Sequence, residues 1–294
     1  NFEVSYRYIY YYSIGKYFGD NIYRQEIQEE LIRIIEKIQN EEFANIVMFI
    51  IHHTKNEFVL GELIRVAKNI FSDHKCIRLE HDILFINELQ EELPKIIIDK
   101  KIDVEKSRKK KLEKLDKETE EKNSYVEIAA DTNKNDDSSA LEKIKLINLS
   151  FKTMEILGQI LKNYWGSLNG NIRCLIGKEI YLLGLRTLDE IYETFKEAKD
   201  KILGLVDEQI KEGKITDIKK IEKKVRSMLF LFASYFTLSC IDKISECIGD
   251  DKLSETFKDI ETDLDYNSVK IINLSIQLEY YGGAFPFSYA ESLL

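Results

Sequence analysis

Apolar residues recur every three or four positions through most of the first hundred residues of the chain. They occur, for example, at Ile27, Leu31, Ile34 and Ile38, and the same spacing returns in several segments before Pro94. This spacing places the apolar side chains on one face of an α-helix. The polar joints between the segments are short, which favours antiparallel neighbours. We therefore predict antiparallel helical hairpins with a solenoid-like arrangement, forming an N-terminal helical domain over residues 1–100.

The character of the chain changes between residues 101 and 139. Basic and acidic residues alternate through 101–122, with few apolar positions between them, and a polar run, DTNKNDDSS, follows at 131–139. Such a segment lacks the apolar surface that a core requires. We predict a charged linker over 101–139, partly helical or disordered.

Helical periodicity returns after Ala140 and continues to the end of the chain, with a break at NYWGSLNGN, residues 163–171. The longest uncharged run covers residues 227–241, whereas a membrane span takes roughly 20 apolar residues. We predict that this run is a buried, central helix and that the chain makes no membrane contact. Residues 140–294 are thus predicted to form a C-terminal helical bundle, and the fold class to be all-α, with two helical subdomains joined by the charged linker.

Composition supports long helices and limits the classes of partner. The chain contains only 2 prolines, which interrupt helices, and its formal net charge is −9. An acidic chain is poorly suited to phosphate backbones, so we do not expect nucleic acid as a partner. The 4 cysteines form no C-x-x-C pair, and we interpret them as free thiols in a reducing cytoplasm. The chain begins inside an apparent helix without a signal peptide, and we expect it to be part of a longer protein.

Motifs for catalysis and for cofactor binding are not recognisable. The Gly-Lys pairs at 15–16 and 177–178 are followed by Tyr17 and Glu179, whereas a phosphate-binding loop requires Ser or Thr there and further glycines upstream. A G-x-S-x-G nucleophile elbow is also missing. We predict no catalytic, cofactor-binding or metal-binding residues, and hence a chain that is not an enzyme.

The four histidines suggest one alternative. His52, His53, His74 and His81 all lie within thirty residues, and His81 precedes Asp82, a pattern faintly similar to HD-type metal-dependent phosphohydrolases. Adjacent histidines point about 100° apart on a helix, so only one of His52 and His53 could face a given metal. Surface or core-edge histidines are the favoured interpretation.

Aromatic residues indicate two candidate interaction surfaces. The run YIYYY at residues 8–12 places rings all around a helix, so that Tyr8, Tyr11 and Tyr12 cannot all face one core. Trp165, in the break at 163–171, is the second candidate, although a single Trp more often anchors a loop. For residues 8–12, burial on several sides and a partner site are equally compatible with the sequence.

Several blocks of the chain resemble the C-terminal helical regions of bacterial STAND NTPases, the NACHT-like signal-transducing ATPases of anti-phage defence. The blocks are YY at 11–12 with KYF at 16–18, LINLSFKTMEILGQILKNYWGSLNG at 146–170, LGLRTL at 183–188 and LSIQLEYY at 274–281. The resemblance implies that the nucleotide site and any effector enzyme lie outside this sequence.

The same resemblance implies the function that we expect. The chain would be a non-enzymatic regulatory, sensor or oligomerisation region that acts through protein–protein contacts. Its partner would be the ATPase module of its own protein, a phage component or a second copy of itself. A simple helical scaffold is the remaining alternative.

Overall fold

The computed structural model describes residues 7–54, 56–89, 138–211, 218–281 and 289–290. Throughout these ranges the regular structure is helical and contains no strand. The predicted all-α fold class is therefore confirmed. The charged linker predicted at 101–139 lies almost wholly outside the described residues.

Ten α-helices occur in the described ranges, with a short 3-10 turn between the eighth and ninth. Their bounds are α1 Arg7–Asp20, α2 Gln25–Ile35, α3 Glu41–His53, α4 Glu57–Asn69, α5 Leu84–Asn87, α6 Ser138–Tyr164, α7 Gly170–Lys211, α8 Ile218–Ile248, the 3-10 turn Asp251–Leu253, α9 Ser254–Leu264 and α10 Asn267–Tyr280.

Capping side chains fix the starts of two N-terminal helices. The Asn40 side chain accepts a hydrogen bond from the Glu42 amide before α3, and Asn56 does the same for the Phe58 amide before α4. Each bond satisfies one of the backbone donors that a helix leaves free at its first turn. At the other end of the chain, Asp265 terminates α9 in the left-handed region, with φ of 44°.

The helices before and after the 101–139 segment share one hydrophobic core. The described residues before 90 and from 144 onward belong to the first of the two units into which the chain divides. Within the first unit, α4 packs on α7 and α1 packs on α3. Core residues such as Leu63 in α4 and Leu185 in α7 are completely buried. The predicted separation into two helical subdomains is not confirmed by this packing.

Arg186 joins α7 to the end of α4 and forms a buried ion pair within α7. Arg186 in α7 donates through Nη2 to the Glu179 carboxylate at 2.8 Å and to the Ala67 carbonyl at 2.8 Å. Its Nε donates to the Ile70 carbonyl at 3.3 Å. The Arg186 and Glu179 side chains expose only 10% and 5% of their surface. Because both charges are removed from water, each depends on the other for stabilisation.

Two glycines permit the close approach of neighbouring helices to α8. A Cβ atom at Gly158 in α6 would overlap the Cys247 carbonyl group, and one at Gly184 in α7 would overlap the Ile244 side chain. The inner face of α8 is therefore held directly against α6 and α7.

The prediction that residues 227–241 form a buried, central helix is only half correct. On α8, Ala233 and Cys240 are buried in the core, whereas Leu231 and Tyr235 are 63% and 65% exposed. One face of the helix is thus a core face, and the opposite face is open. The uncharged segment of α8 is apolar on both faces, and the rest of the described chain covers only one of them. The prediction assumed that both faces would be covered.

Candidate functional site

A row of large apolar side chains is exposed along the outer face of α8. We define the apolar stripe as Met228, Leu231, Phe232, Tyr235 and Leu238, whose exposed fractions are 56%, 63%, 51%, 65% and 64%. Single exposed apolar residues are common on protein surfaces, but contiguous apolar patches mark interaction sites. The apolar stripe is therefore the leading candidate site in the described residues.

The apolar stripe follows a regular helical seam. Counting from Met228, the residues at 231, 235, 238 and 242 follow at alternating intervals of three and four. This is the interval pattern of a coiled-coil seam, in which apolar residues repeat every 3.5 positions on average. Asp242 ends the seam with a charge. The pattern indicates that the stripe packs against another elongated surface.

A groove runs beside the apolar stripe, between α8 and α10. Its volume is about 480 Å³, which is enough for several side chains. Apolar residues of both helices form most of its walls, and two serines supply hydroxyl groups. The lining residues are Tyr235, Leu238, Ser239, Ile241 and Asp242 of α8 with Ile271, Leu274, Ser275 and Leu278 of α10.

Charged residues of opposite sign flank the apolar stripe. Lys224 and Glu246 each lie eleven residues from Tyr235, on opposite sides of it. Eleven residues make just over three helical turns, so all three side chains share one face of α8. Lys223 and Lys224 are exposed, and Glu246 is half-buried. The outer face of α8 is thus basic at its start, apolar in the middle and acidic at its end.

Length and composition alone would also allow part of α8 to cross a membrane. The segment Lys223–Ile248 is long and apolar enough to span a bilayer, and 28% of its most apolar window is buried. Core helices of ordinary proteins can be equally long and apolar, and the inner face of α8 packs in the core. Because Asp242 and Glu246 lie on the same face as the stripe, placing that face in hydrocarbon would require burying their charges.

A cluster of buried charges forms a second candidate site. His74 Nδ1 lies 3.1 Å from the Asp189 carboxylate, and His74 Nε2 lies 3.0 Å from the Glu190 carboxylate. Asp189 also accepts the Lys75 backbone N–H at 3.3 Å. The two carboxylates expose only 8% and 7% of their side chains. These contacts join the segment after α4 to α7, and so they stabilise the same junction as the hydrogen bonds from Arg186 to the Ala67 and Ile70 carbonyls.

The histidines of the HD-type alternative contact different neighbours. Asp82 accepts hydrogen bonds from Lys75 Nζ at 2.6 Å and from the Arg78 amide at 2.8 Å, and His81 is exposed. In the part of the chain that the structure describes, no group of three or more His, Cys, Asp or Glu residues is placed to hold a metal ion. The other three histidines pair as follows: His52 with Tyr164, His53 with Tyr12, and His74 with Asp189 and Glu190.

The aromatic residues singled out in the sequence have mixed environments. Tyr11 is buried at 9% exposure, whereas Tyr8 is 72% exposed and Tyr12 is 47% exposed. Trp165 is 37% exposed, with the Arg173 guanidinium 5.9 Å from its ring centre. Tyr11 therefore belongs to the core, and a partner site at Tyr8, Tyr12 or Trp165 stays a prediction.

The apolar stripe was not predicted, although its signal is present in the sequence. The same helix carries two apolar faces: the seam from residue 228 to residue 242, with its intervals of three and four, and a second face at residues 229, 233, 240 and 244. Two apolar faces on one helix require two covering surfaces, and we assigned both to the core.

Comparison with known proteins adds no relative from which a function could be transferred. The chain matches no family model, and neither a curated protein nor a solved structure matches it. The resemblance to STAND NTPases consequently stays a prediction from the sequence blocks, and the surface of α8 is the physical basis for a functional proposal.

Proposed function

We propose that this chain is a non-enzymatic interaction module that binds a protein through the apolar stripe of α8. The observation that carries this proposal is the stripe itself, with five large apolar side chains that are each more than half exposed. Removing such side chains from water is the main favourable term in protein association. Tyr235 and Phe232 are also residue types that interfaces favour.

The chemistry of the surrounding residues favours a protein over a lipid surface. The uncharged part of α8 covers only residues 227–241, and charged residues lie on the same face at both of its ends. The formal net charge of −9 also repels anionic headgroups. A protein surface can bury the stripe and pair both the lysines and the carboxylates, whereas the hydrocarbon core of a membrane offers a partner to neither.

In the context of the STAND resemblance, the module would regulate an ATPase that lies in another part of the same protein. It would act as a sensor or oligomerisation region, and its partner would be that ATPase module, a phage component or a second copy. One of the blocks that resemble these proteins, LSIQLEYY at 274–281, includes the groove residues Leu274 and Leu278. The part of the chain that resembles these proteins thus contributes to the candidate surface.

Photo-cross-linking from the stripe tests this function. Benzoylphenylalanine replaces Tyr235 in the full chain, and the same replacement at Tyr23 serves as the control because Tyr23 is 86% exposed at a turn. After irradiation in cells, we expect discrete protein adducts from position 235, absent from position 23. Adding Leu231→Glu should remove these adducts. Equal labelling from both positions, or adducts with lipid only, would overturn the proposed function.

A further inference from the structure

Building on the proposed function, we propose that the partner of the apolar stripe is a second copy of this chain. The two α8 helices pack antiparallel across a two-fold axis that passes near Tyr235. The stripe of each copy is buried against the stripe of the other. A two-fold contact of this kind closes on itself, because the same patch is used on both copies and none remains for a third.

The area of the stripe matches what a stable dimer requires. Its five side chains expose between 51% and 65% of their surface, which amounts to roughly 600 Å² per copy when a fully exposed large side chain offers about 150–250 Å². A standard interface buries about 800 Å² per partner. Standard interfaces range from about 600 to 1,000 Å² per partner, so the stripe alone lies at the lower end of this range, and the residues of α10 that line the groove add to it.

The charges at the ends of the stripe select the antiparallel direction. In that direction, Lys224 of one copy lies beside the acidic end of the partner's α8, where Asp242 and Glu246 are found. The contact occurs twice because of the two-fold axis. A parallel pairing would instead place Lys224 beside Lys224 of the other copy, and the carboxylates of the two copies beside one another. Like charges at an interface oppose association, so the charge pattern is complementary to itself only when the helices run in opposite directions.

The spacing of the stripe suits a second helix of the same kind. Residues at alternating intervals of three and four form a seam whose side chains insert between those of a facing helix with the same repeat. From residue 228 to residue 242 the seam covers four helical turns, or about 21 Å at 1.5 Å per residue. A second α8 offers a seam of identical length and spacing.

The mass of the full chain in solution tests the dimer. Sedimentation velocity at micromolar concentration should give twice the chain mass of 34.5 kDa. Tyr235→Glu should weaken the dimer by about 100-fold or more, because two carboxylates would meet at the axis in an apolar surrounding. Tyr23→Glu, at an exposed turn, should leave the dimer intact. Circular dichroism of both variants verifies that the helices are retained.

Cross-linking with a carbodiimide tests the direction of the helices. A mixture of unlabelled and ¹⁵N-labelled chains distinguishes links between copies from links within one copy. We expect a mixed-isotope link from Lys224 to Glu246 or Asp242. A dimer in which Lys224 links only to residues outside the acidic end of α8 would overturn the antiparallel arrangement.

Two results would overturn the dimer, and they differ in what they say about the proposed function. A monomeric wild-type chain whose position 235 still cross-links to a different protein would refute self-association and leave the proposed function standing. A monomeric chain that co-sediments with phosphatidylcholine–phosphatidylglycerol vesicles, and loses this binding in Tyr235→Glu, would refute both proposals in favour of a lipid surface.

Discussion

The ion pair between Arg186 and Glu179 should be among the most sensitive points of the fold. Arg186→Met retains most of the aliphatic volume of the side chain but removes the cation that faces Glu179. It also removes the donors to the Ala67 and Ile70 carbonyls. Since Glu179 exposes only 5% of its side chain, water does not replace the lost partner. The carboxylate would remain buried without a compensating charge.

The expected loss follows from the burial of both groups. Removing one partner of a buried ion pair costs about 3–5 kcal/mol, because the remaining charge has no compensation. The exposed pair between Arg33 and Glu30 is the matched control, with side chains that are 69% and 50% exposed. Arg33→Met should change the free energy of unfolding by less than about 0.5 kcal/mol. The two substitutions are chemically identical and differ in burial.

Urea unfolding followed by circular dichroism measures these differences. The double variant Glu179→Met, Arg186→Met should be less destabilised than the sum of the single variants, because it leaves no charge unpaired. The difference from additivity should reach about 1–3 kcal/mol. If Arg186→Met is as mild as Arg33→Met, or if the double variant is simply additive, Glu179 does not depend on the Arg186 charge and the reasoning is wrong.

Two further substitutions test the packing and the electrostatics of the described helices. Gly158→Ala should destabilise the fold by about 1–3 kcal/mol, because its new methyl group meets a backbone carbonyl of α8. Gly61→Ala is the control: nothing lies within 4 Å of its new atom, and it should stabilise the fold by about 0.4–1 kcal/mol. Equal melting temperatures for the two variants would contradict the close approach of α6 to α8. Burial raises the pKa of Glu155, but Lys243 at 2.5 Å and Lys152 at 2.9 Å outweigh it and hold the pKa below its ordinary value. A lowered pKa stabilises the fold above the unfolded value of about 4.3, and this effect is lost as the pH falls through the folded value. In thermal melts, Glu155→Gln should therefore be less stable than wild type at pH 7, and the difference should shrink steadily as the pH is lowered below the unfolded value.

The sequence predicts the helices well because helix formation depends on local information. The spacing of Leu31 and Ile34 identifies the buried face of α2, and both residues are buried as expected. The capping residues Asn40 and Asn56 precede α3 and α4, as polar residues at helix starts commonly do. These signals act within a few residues of one another, and a single sequence contains them in full.

The sequence does not reveal which helix faces cover one another. His74 contacts Asp189, 115 residues away, and Arg186 contacts the Ala67 carbonyl, 119 residues away. No periodicity connects such distant positions. The shared core of the first and last helices was missed for the same reason, because a charged segment between two helical regions fits two separate domains as well as one.

The open face of α8 was missed for a different reason, which concerns chemistry rather than distance. A permanent interface between subunits resembles a protein core cut in half, so composition alone cannot assign an apolar helix face to one or the other. The arrangement of α8 does separate its two faces. Behind the stripe, Ala233 is buried in the core, the Thr237 hydroxyl lies 2.7 Å from the Tyr192 hydroxyl of α7, and Cys240 donates to the Gly184 carbonyl at 3.4 Å. These contacts hold the inner face of α8 in place before any partner arrives. A face that is already rigid loses little conformational entropy on binding. The apolar stripe is thus presented on a fixed support, which is the condition under which an area of modest size can hold two chains together.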